Sequence, residues 1–229
     1  MQPFEVPEAI KAITDTYPSA ETIINAANRG SATGLESIAR LWLSEGIPFA
    51  FREMPGLYEA LRDWMAKRLE IHAKEITLIG SGRQGSSIAP PKTGKIFNED
   101  SDLDWAAISV PLFQRCAEEF WSWYDDCKNG HAHPRNPNEK RYWDENLLAC
   151  PGNIKRRFID PYKIPIWDRY PMSRLISNTM WMLKCKCETT TGAPKFRKSS
   201  IRIYRDWEAF IRQLSTNLRY AAQNYINNV

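Results

Sequence analysis

Apolar positions recur at alternating three- and four-residue spacing through the first third of the chain, a period that predicts helices over Ala20–Ala27, Leu35–Glu45 and Leu57–Leu69. Pro55-Gly56 precedes the last of these and suits its first turn. At Glu75-Ile-Thr-Leu-Ile79 the pattern changes to a short, β-branched apolar run that stops at Gly80, which predicts a buried strand. Leu103–Val110 predicts a second strand, closed by Pro111. Helical spacing returns over Leu112–Lys128, where Phe113, Cys116, Phe120, Trp123 and Tyr124 fall on related faces. The polar stretch Asn129–Gly152 predicts a loop and Ile154–Asp160 a third strand. Helices are expected over Ser173–Cys187 and Ser200–Asn227, joined by the Thr/Gly/Pro/Lys segment Thr189–Ser199.

This order, helices, then strand-turn-strand-helix-strand, then helices, predicts an α+β (α/β) fold with a mixed sheet flanked by helices. Three regions are expected to pack as one unit: an N-terminal helical region over 1–73, a core over 74–170 and a C-terminal helical region over 171–229. At 229 residues and 26.5 kDa the chain is long enough to bury a sizeable core. Hydrophobic residues at 43% and charged residues at 25% fit a soluble globular protein rather than a disordered one.

A net charge of +4 suits an anionic ligand but falls short of a dedicated duplex-DNA binder. No apolar run long enough to cross a membrane is present, so no membrane partner is expected. The opening Met1-Gln-Pro-Phe-Glu-Val6 lacks a basic segment followed by an apolar one, and the five cysteines show no disulfide-like spacing. Both features predict a cytoplasmic protein.

The chemistry concentrates in two short stretches. Leu78-Ile-Gly-Ser-Gly-Arg-Gln-Gly-Ser-Ser87 places a Gly/Ser turn after the first strand, where exposed backbone N–H groups and the Ser81 hydroxyl are expected to hold a phosphate. Glu99-Asp-Ser-Asp-Leu-Asp-Trp105 then places Asp102 and Asp104 two residues apart on a strand, so both carboxylates leave the same face. Paired hard oxygen ligands suit a divalent cation, Mg2+ or Mn2+, that bridges protein and phosphate oxygens. Phosphate cradle and metal platform together point to metal-assisted phosphoryl or nucleotidyl transfer.

Gly80-Ser81 on a strand end, followed by Asp100-Ser-Asp-Leu-Asp104 on the next strand, resembles the signature of the DNA polymerase β-like nucleotidyltransferase superfamily. Here a longer interval, containing Lys92 and Lys95, separates the two halves of that signature. The resemblance implies a nucleotidyltransferase fold and a Mg2+-dependent enzyme that moves a nucleoside monophosphate from an NTP or dNTP to a hydroxyl, releasing pyrophosphate. Gly80 and Ser81 would hold the triphosphate, Asp102 and Asp104 the metals, and Asp160 would supply the third carboxylate, with Asp168 as its substitute. Arg83 in the turn is a further phosphate-pairing candidate.

The short chain has no second large domain for a template duplex, so template-independent synthesis of a short oligonucleotide or nucleotide signal is expected. Small prokaryotic members of the superfamily often serve antiphage defence or toxin–antitoxin modules. The alternatives are a protein-nucleotidylating, AMPylase-like enzyme, whose acceptor is a protein hydroxyl, and a catalytically silent nucleic-acid-binding module.

Other motifs carry two readings each. The nine tryptophans fit core packing or base stacking. Lys184 and Lys186 fit a solvated helix face or a phosphate contact. The basic run Lys195–Arg205, continued by Arg212 and Arg219, fits a groove for single-stranded product or an amphipathic helix face. Cys127, His131 and His133, with Cys150 as a distant fourth ligand, fit a zinc site or a polar loop surface, and they lack the paired spacing of a zinc ribbon or finger.

Overall fold

The structure, a computed structural model, describes residues 6–226. Most of the opening segment and the expected helix end at Asn227 lie outside the described residues. In chain order the elements are α1 (Glu8–Lys11), α2 (Ala20–Arg29), α3 (Ala32–Leu41), α4 (Pro55–Leu69), β1 (Ile76–Ile79), α5 (Ser81–Gln84), β2 (Leu103–Ile108) and α6 (Val110–Lys128). They continue with α7 (Pro137–Lys155), β3 (Phe158–Ile159), α8 (Pro171–Thr189), β4 (Ser199–Tyr204) and α9 (Trp207–Ile226). This is the α+β class expected.

The early helices begin where their sequence supplies caps. The Ser19 hydroxyl accepts from the Thr22 N–H at 3.1 Å and the Ser31 hydroxyl from the Gly34 N–H at 3.3 Å, satisfying N–H groups that the first turn leaves free. α4 starts with Pro55, whose missing N–H costs nothing at that position.

The four strands form one sheet in the order β1-β2-β4-β3. β1 runs antiparallel to β2, β2 parallel to β4, and β3 antiparallel to β4. The pleat sorts side chains strictly by alternation. Ile76, Leu78, Leu103, Trp105, Ala107, Ile201 and Ile203 face a core built with α4, α6, α7 and α8. Ala106, Ile108, Phe158 and Tyr204 face a second core with α2, α3 and α9. Each fully buried large aliphatic or aromatic side chain contributes about 1.5–3 kcal/mol by leaving water, so both helical layers are held by many such increments.

Three expectations need correction. The segment assigned to a continuous helix over Ser200–Asn227 opens instead with β4, because Ser199-Ser-Ile-Arg-Ile-Tyr204 alternates with period two. Only after Asp206, whose carboxylate accepts from the Ala209 N–H at 2.9 Å, does the helix start. The polar stretch Asn129–Gly152 contains most of α7, which is capped by Asn136 and carries Pro151 inside it. Only four α7 residues, Trp143, Asn146, Cys150 and Asn153, are buried, so its apolar period is weak. The third strand shrinks to the two-residue edge strand β3.

The regional division changes accordingly. β4 belongs to the expected C-terminal region yet lies between β2 and β3, so the sheet is not contained in 74–170. Among the described residues no helix is long and apolar enough to cross a membrane.

Phe210 fastens α9 to the sheet: it is fully buried and packs edge-on against Tyr204 at 5.0 Å between ring centroids. Phe210→Ala is expected to cost about 3–5 kcal/mol of stability, measured as a shift in the urea unfolding midpoint.

Candidate active site

The first strand delivers its turn directly beside the acidic residues. Ile79 stands opposite Asp104 across the β1–β2 ladder, so the next residue, Gly80, leaves the sheet next to that carboxylate. Gly80 has φ 67° and ψ −152°, backbone angles open essentially to glycine alone. A Cβ placed there would lie 3.7 Å from Asp104 Oδ2. Gly85, also at positive φ, gives way to the Phe49 ring, whose Cδ2 would approach a Cβ to 2.8 Å.

α5, which follows the turn, is a single helical turn of four residues. It is too short to build the dipole of a longer helix, so attraction for an anion has to come from side chains. The interval between the two halves of the sequence motif supplies them. It folds back as a hairpin-like loop, with Ser87 N–H donating to Lys95 O at 2.9 Å and Phe97 N–H to Gly85 O at 2.8 Å. This return carries Lys92, Lys95 and Ser87 to the acidic strand.

A cavity of about 180 Å³ results, lined by Gly80, Ser81, Ser87, Ala89, Lys92, Lys95, Asp100, Ser101, Asp102, Asp104 and Arg197. Four of the six expected site residues, Gly80, Ser81, Asp102 and Asp104, therefore share one lumen. Two larger hollows of about 580 and 680 Å³ adjoin it through Asp100, which lines all three.

The carboxylates differ in surroundings. Asp104 accepts a hydrogen bond from the Ser200 hydroxyl at 2.5 Å. Burial raises its pKa above the ordinary carboxylate value, and the neighbouring Asp102 charge adds to that, against the Ser200 hydrogen bond and the charges of Lys198 and Arg202. Asp102 is held by Arg197 in a two-pronged pair, both N···O distances being 3.0 Å, with Lys198 at 3.8 Å.

Three further candidates stand elsewhere. Arg83, expected to meet phosphate, is buried and turned away: its guanidinium donates to Trp42 O at 3.3 Å and to Gly46 O at 2.6 Å. It bolts the turn to the end of α3, and burial lowers its pKa. Asp160 ends the edge strand β3, where Arg202 grips it at 2.6 and 3.1 Å. The strand next to the acidic pair is β4, which presents Ser200 opposite Asp104 and no carboxylate. Asp168 is almost wholly exposed and pairs with Arg174.

No protein-family model, curated protein or solved structure matches the chain. The site therefore has to be judged on its own geometry. Among the described residues no group of three or more His, Cys, Asp or Glu side chains is arranged to hold a metal ion, so Asp102, Asp104 and Asp160 do not converge on one centre. Cys127, His131 and His133 do not form such a group either. Lys184 lines the 580 Å³ hollow and donates to Arg197 O at 2.6 Å, whereas Lys186 lies over the Trp64 ring.

The partners of the acids, Arg197, Ser200 and Arg202, were not assigned to them from sequence. The signal was the alternation in Ser200-Ile-Arg-Ile-Tyr204, which puts Ser200 and Arg202 on one strand face.

Two outcomes test this geometry. Gly80→Ala is expected to lose about 1–3 kcal/mol of stability through backbone strain alone, read from chemical denaturation. Because the folded pKa of Asp104 is raised, its contribution to stability is complete below the ordinary carboxylate range and lost as pH rises through the folded value. Asp104→Asn is thus expected to melt above the wild type at pH 7, with the difference shrinking as pH falls, in a series of thermal melts.

Proposed function

We propose that the chain is a metal-dependent nucleotidyltransferase, which passes a nucleoside monophosphate from an NTP or dNTP to an acceptor hydroxyl without a template. The observation that carries this reading is the meeting of the Gly80-Ser81 turn, two lysines and two alternate aspartates in one cavity. Mixed charge of this kind suits a polyphosphate accompanied by a cation: lysines and hydroxyls attract the phosphate oxygens, while carboxylates repel them unless a metal intervenes.

The donor set fits Mg2+ or Mn2+ in that shared form. Mg2+ is ordinarily held by one or two carboxylates, with water and substrate phosphate completing its shell. Asp102 and Asp104 would be its protein ligands, and the ion would stabilise charge on the transferring phosphate. Arg197 and Lys198 now neutralise Asp102, so they are the cations such an ion has to replace.

In the reaction, the acceptor oxygen bonds to the α-phosphorus, the bond from that phosphorus to the bridging oxygen breaks, and pyrophosphate departs. The hydroxyl proton is released to solvent. Lys92 and Lys95 orient the polyphosphate, and the Ser81 and Ser87 hydroxyls donate to it. The adjoining hollows, lined by Arg52, Lys184, Lys195 and Arg197 but also by Glu99, Asp100 and Glu188, leave room for an acceptor beside the cavity.

A second reading has an observation of its own. With Asp102 bound to Arg197 and Asp160 to Arg202, the acids are already satisfied, as a silent nucleic-acid-binding module requires.

The purified chain, incubated with each α-labelled NTP and dNTP plus Mg2+ or Mn2+, is expected to yield labelled nucleotide product and pyrophosphate. Asp102→Asn/Asp104→Asn is expected to reduce product to background while remaining folded. Label on the protein would favour the protein-nucleotidylating alternative. Absence of label with retained oligonucleotide binding would favour the silent module.

A further inference from the structure

Arg197 stands between two spaces, lining both the acidic cavity of about 180 Å³ and the adjoining hollow of about 580 Å³. Its backbone is pinned. The Arg197 N–H donates to Ser101 O at 2.8 Å, and the Arg197 carbonyl accepts from the Lys184 ammonium at 2.6 Å. One residue later, Lys198 O accepts from the Leu103 N–H at 2.9 Å, where the pairing of β2 with β4 begins. The side chain is held differently: it is 59% exposed, and Asp102 is its one hydrogen-bond partner among the described residues. A fixed backbone under a guanidinium with a single partner lets that group change partners without moving the strand.

The two prongs, Nε on Oδ1 and Nη2 on Oδ2, take both oxygens of Asp102, a fork that arginine forms and lysine cannot. Lys198 reaches only one of those oxygens, at 3.8 Å, and does not line the cavity. A cation approaching alone therefore meets a carboxylate whose oxygens are taken and a positive charge that it has to push aside. An anion approaching alone meets the carboxylates of Asp100, Asp102 and Asp104, which repel it. Arrival together removes both obstacles. The cation takes the Asp102 oxygens, and the displaced guanidinium grips phosphate oxygens in the same forked way. Lys92 and Lys95, which line the same cavity and have no acidic partner among the described residues, add positive charge for that anion.

We propose that Arg197 makes the cavity selective for a complex of divalent cation and polyphosphate over either ion alone, by exchanging Asp102 for phosphate oxygens when the two arrive together. This role rests on the transferase reading, which places a cation and a polyphosphate in the cavity. An ion pair as exposed as this one contributes little to stability, so the fold gives up little in the exchange.

Mn2+ alone, inorganic triphosphate alone and the preformed Mn2+–triphosphate complex, each titrated calorimetrically into the full chain, provide the test. The complex is expected to bind the wild type more tightly than either component. Arg197→Gln is expected to bind Mn2+ alone at least about threefold more tightly and the complex at least about tenfold more weakly. A substitution that merely loosened the structure would weaken both. Arg197→Lys keeps the charge without the fork, so it should move the two affinities in the same opposite senses by less, and it carries the test if Arg197→Gln does not fold. Lys186→Gln, which removes an equal charge from over the Trp64 ring, should change neither.

Both affinities falling in the Arg197 variants, neither changing, or Lys186→Gln reproducing their effect would overturn the inference, as would a complex that binds the wild type no tighter than its components. Mn2+ that binds no form of the protein, with or without triphosphate, overturns it together with the cation platform of the transferase reading. Opposite shifts in a chain that transfers no label sink the transferase reading alone. Transfer of label with the two affinities unmoved by Arg197→Gln sinks this role alone.

Discussion

Parallel pairing of β2 with β4 governs the rest of the structure. Asp102, just before β2, and Asp104, on it, repel each other, and the strand must be buried on one face to contribute to the core. Only a neighbouring strand can meet both demands. β4 does so with Ile201 and Ile203 pointing to one core, Ser200 donating to Asp104, and the preceding Arg197 and Lys198 balancing Asp102. Without that strand the two acids would lie side by side on an open sheet edge, with Asp102 lacking Arg197 and Lys198.

The same pairing accounts for the polarity of the site. At one end of the sheet, Ala106, Ile108, Tyr204 and Phe158 seal the face against α2, α3 and α9. A few residues along the same strands, that face carries Asp104, Ser200 and Arg202, with Asp160 beside Arg202. One alternation rule thus produces a dry half and a charged half without any change of strand. The charged half is energetically uneasy, since desolvation opposes the Asp104 charge and Gly80 holds angles few residues tolerate. Backbone angles open only to glycine and a desolvated carboxylate thus meet at a single place.

Much of this was legible in the sequence, and the gaps have physical causes. Helices with a strong apolar stripe, such as α2 and α3, announced themselves, as did β1 and β2 through β-branched runs. α7 did not, since it is polar over most of its surface and only its capping Asn136 and Pro137 mark its start. β4 was hidden because six residues of alternation run almost directly into the helical period of α9. At the site, the order of Gly-Ser and the aspartates identified the lumen. Arg83 was misplaced because a charged residue in a glycine-rich turn looks exposed, and no local pattern encodes its burial against the carbonyls of Trp42 and Gly46. The lysines of the loop acquired a direction only once the return from Ser87 to Phe97 was visible.

The late position of β4 has a consequence for how the molecule is made. A chain emerging from the ribosome completes β2 long before Ser199 is synthesised, and until then the strand lacks its partner along one whole edge. A contact between segments so far apart in sequence closes slowly compared with local helix formation. The growing polypeptide thus passes through a stage in which its most acidic strand is both unpaired and uncompensated. The acidic cavity therefore takes its final form only after β4 docks beside β2.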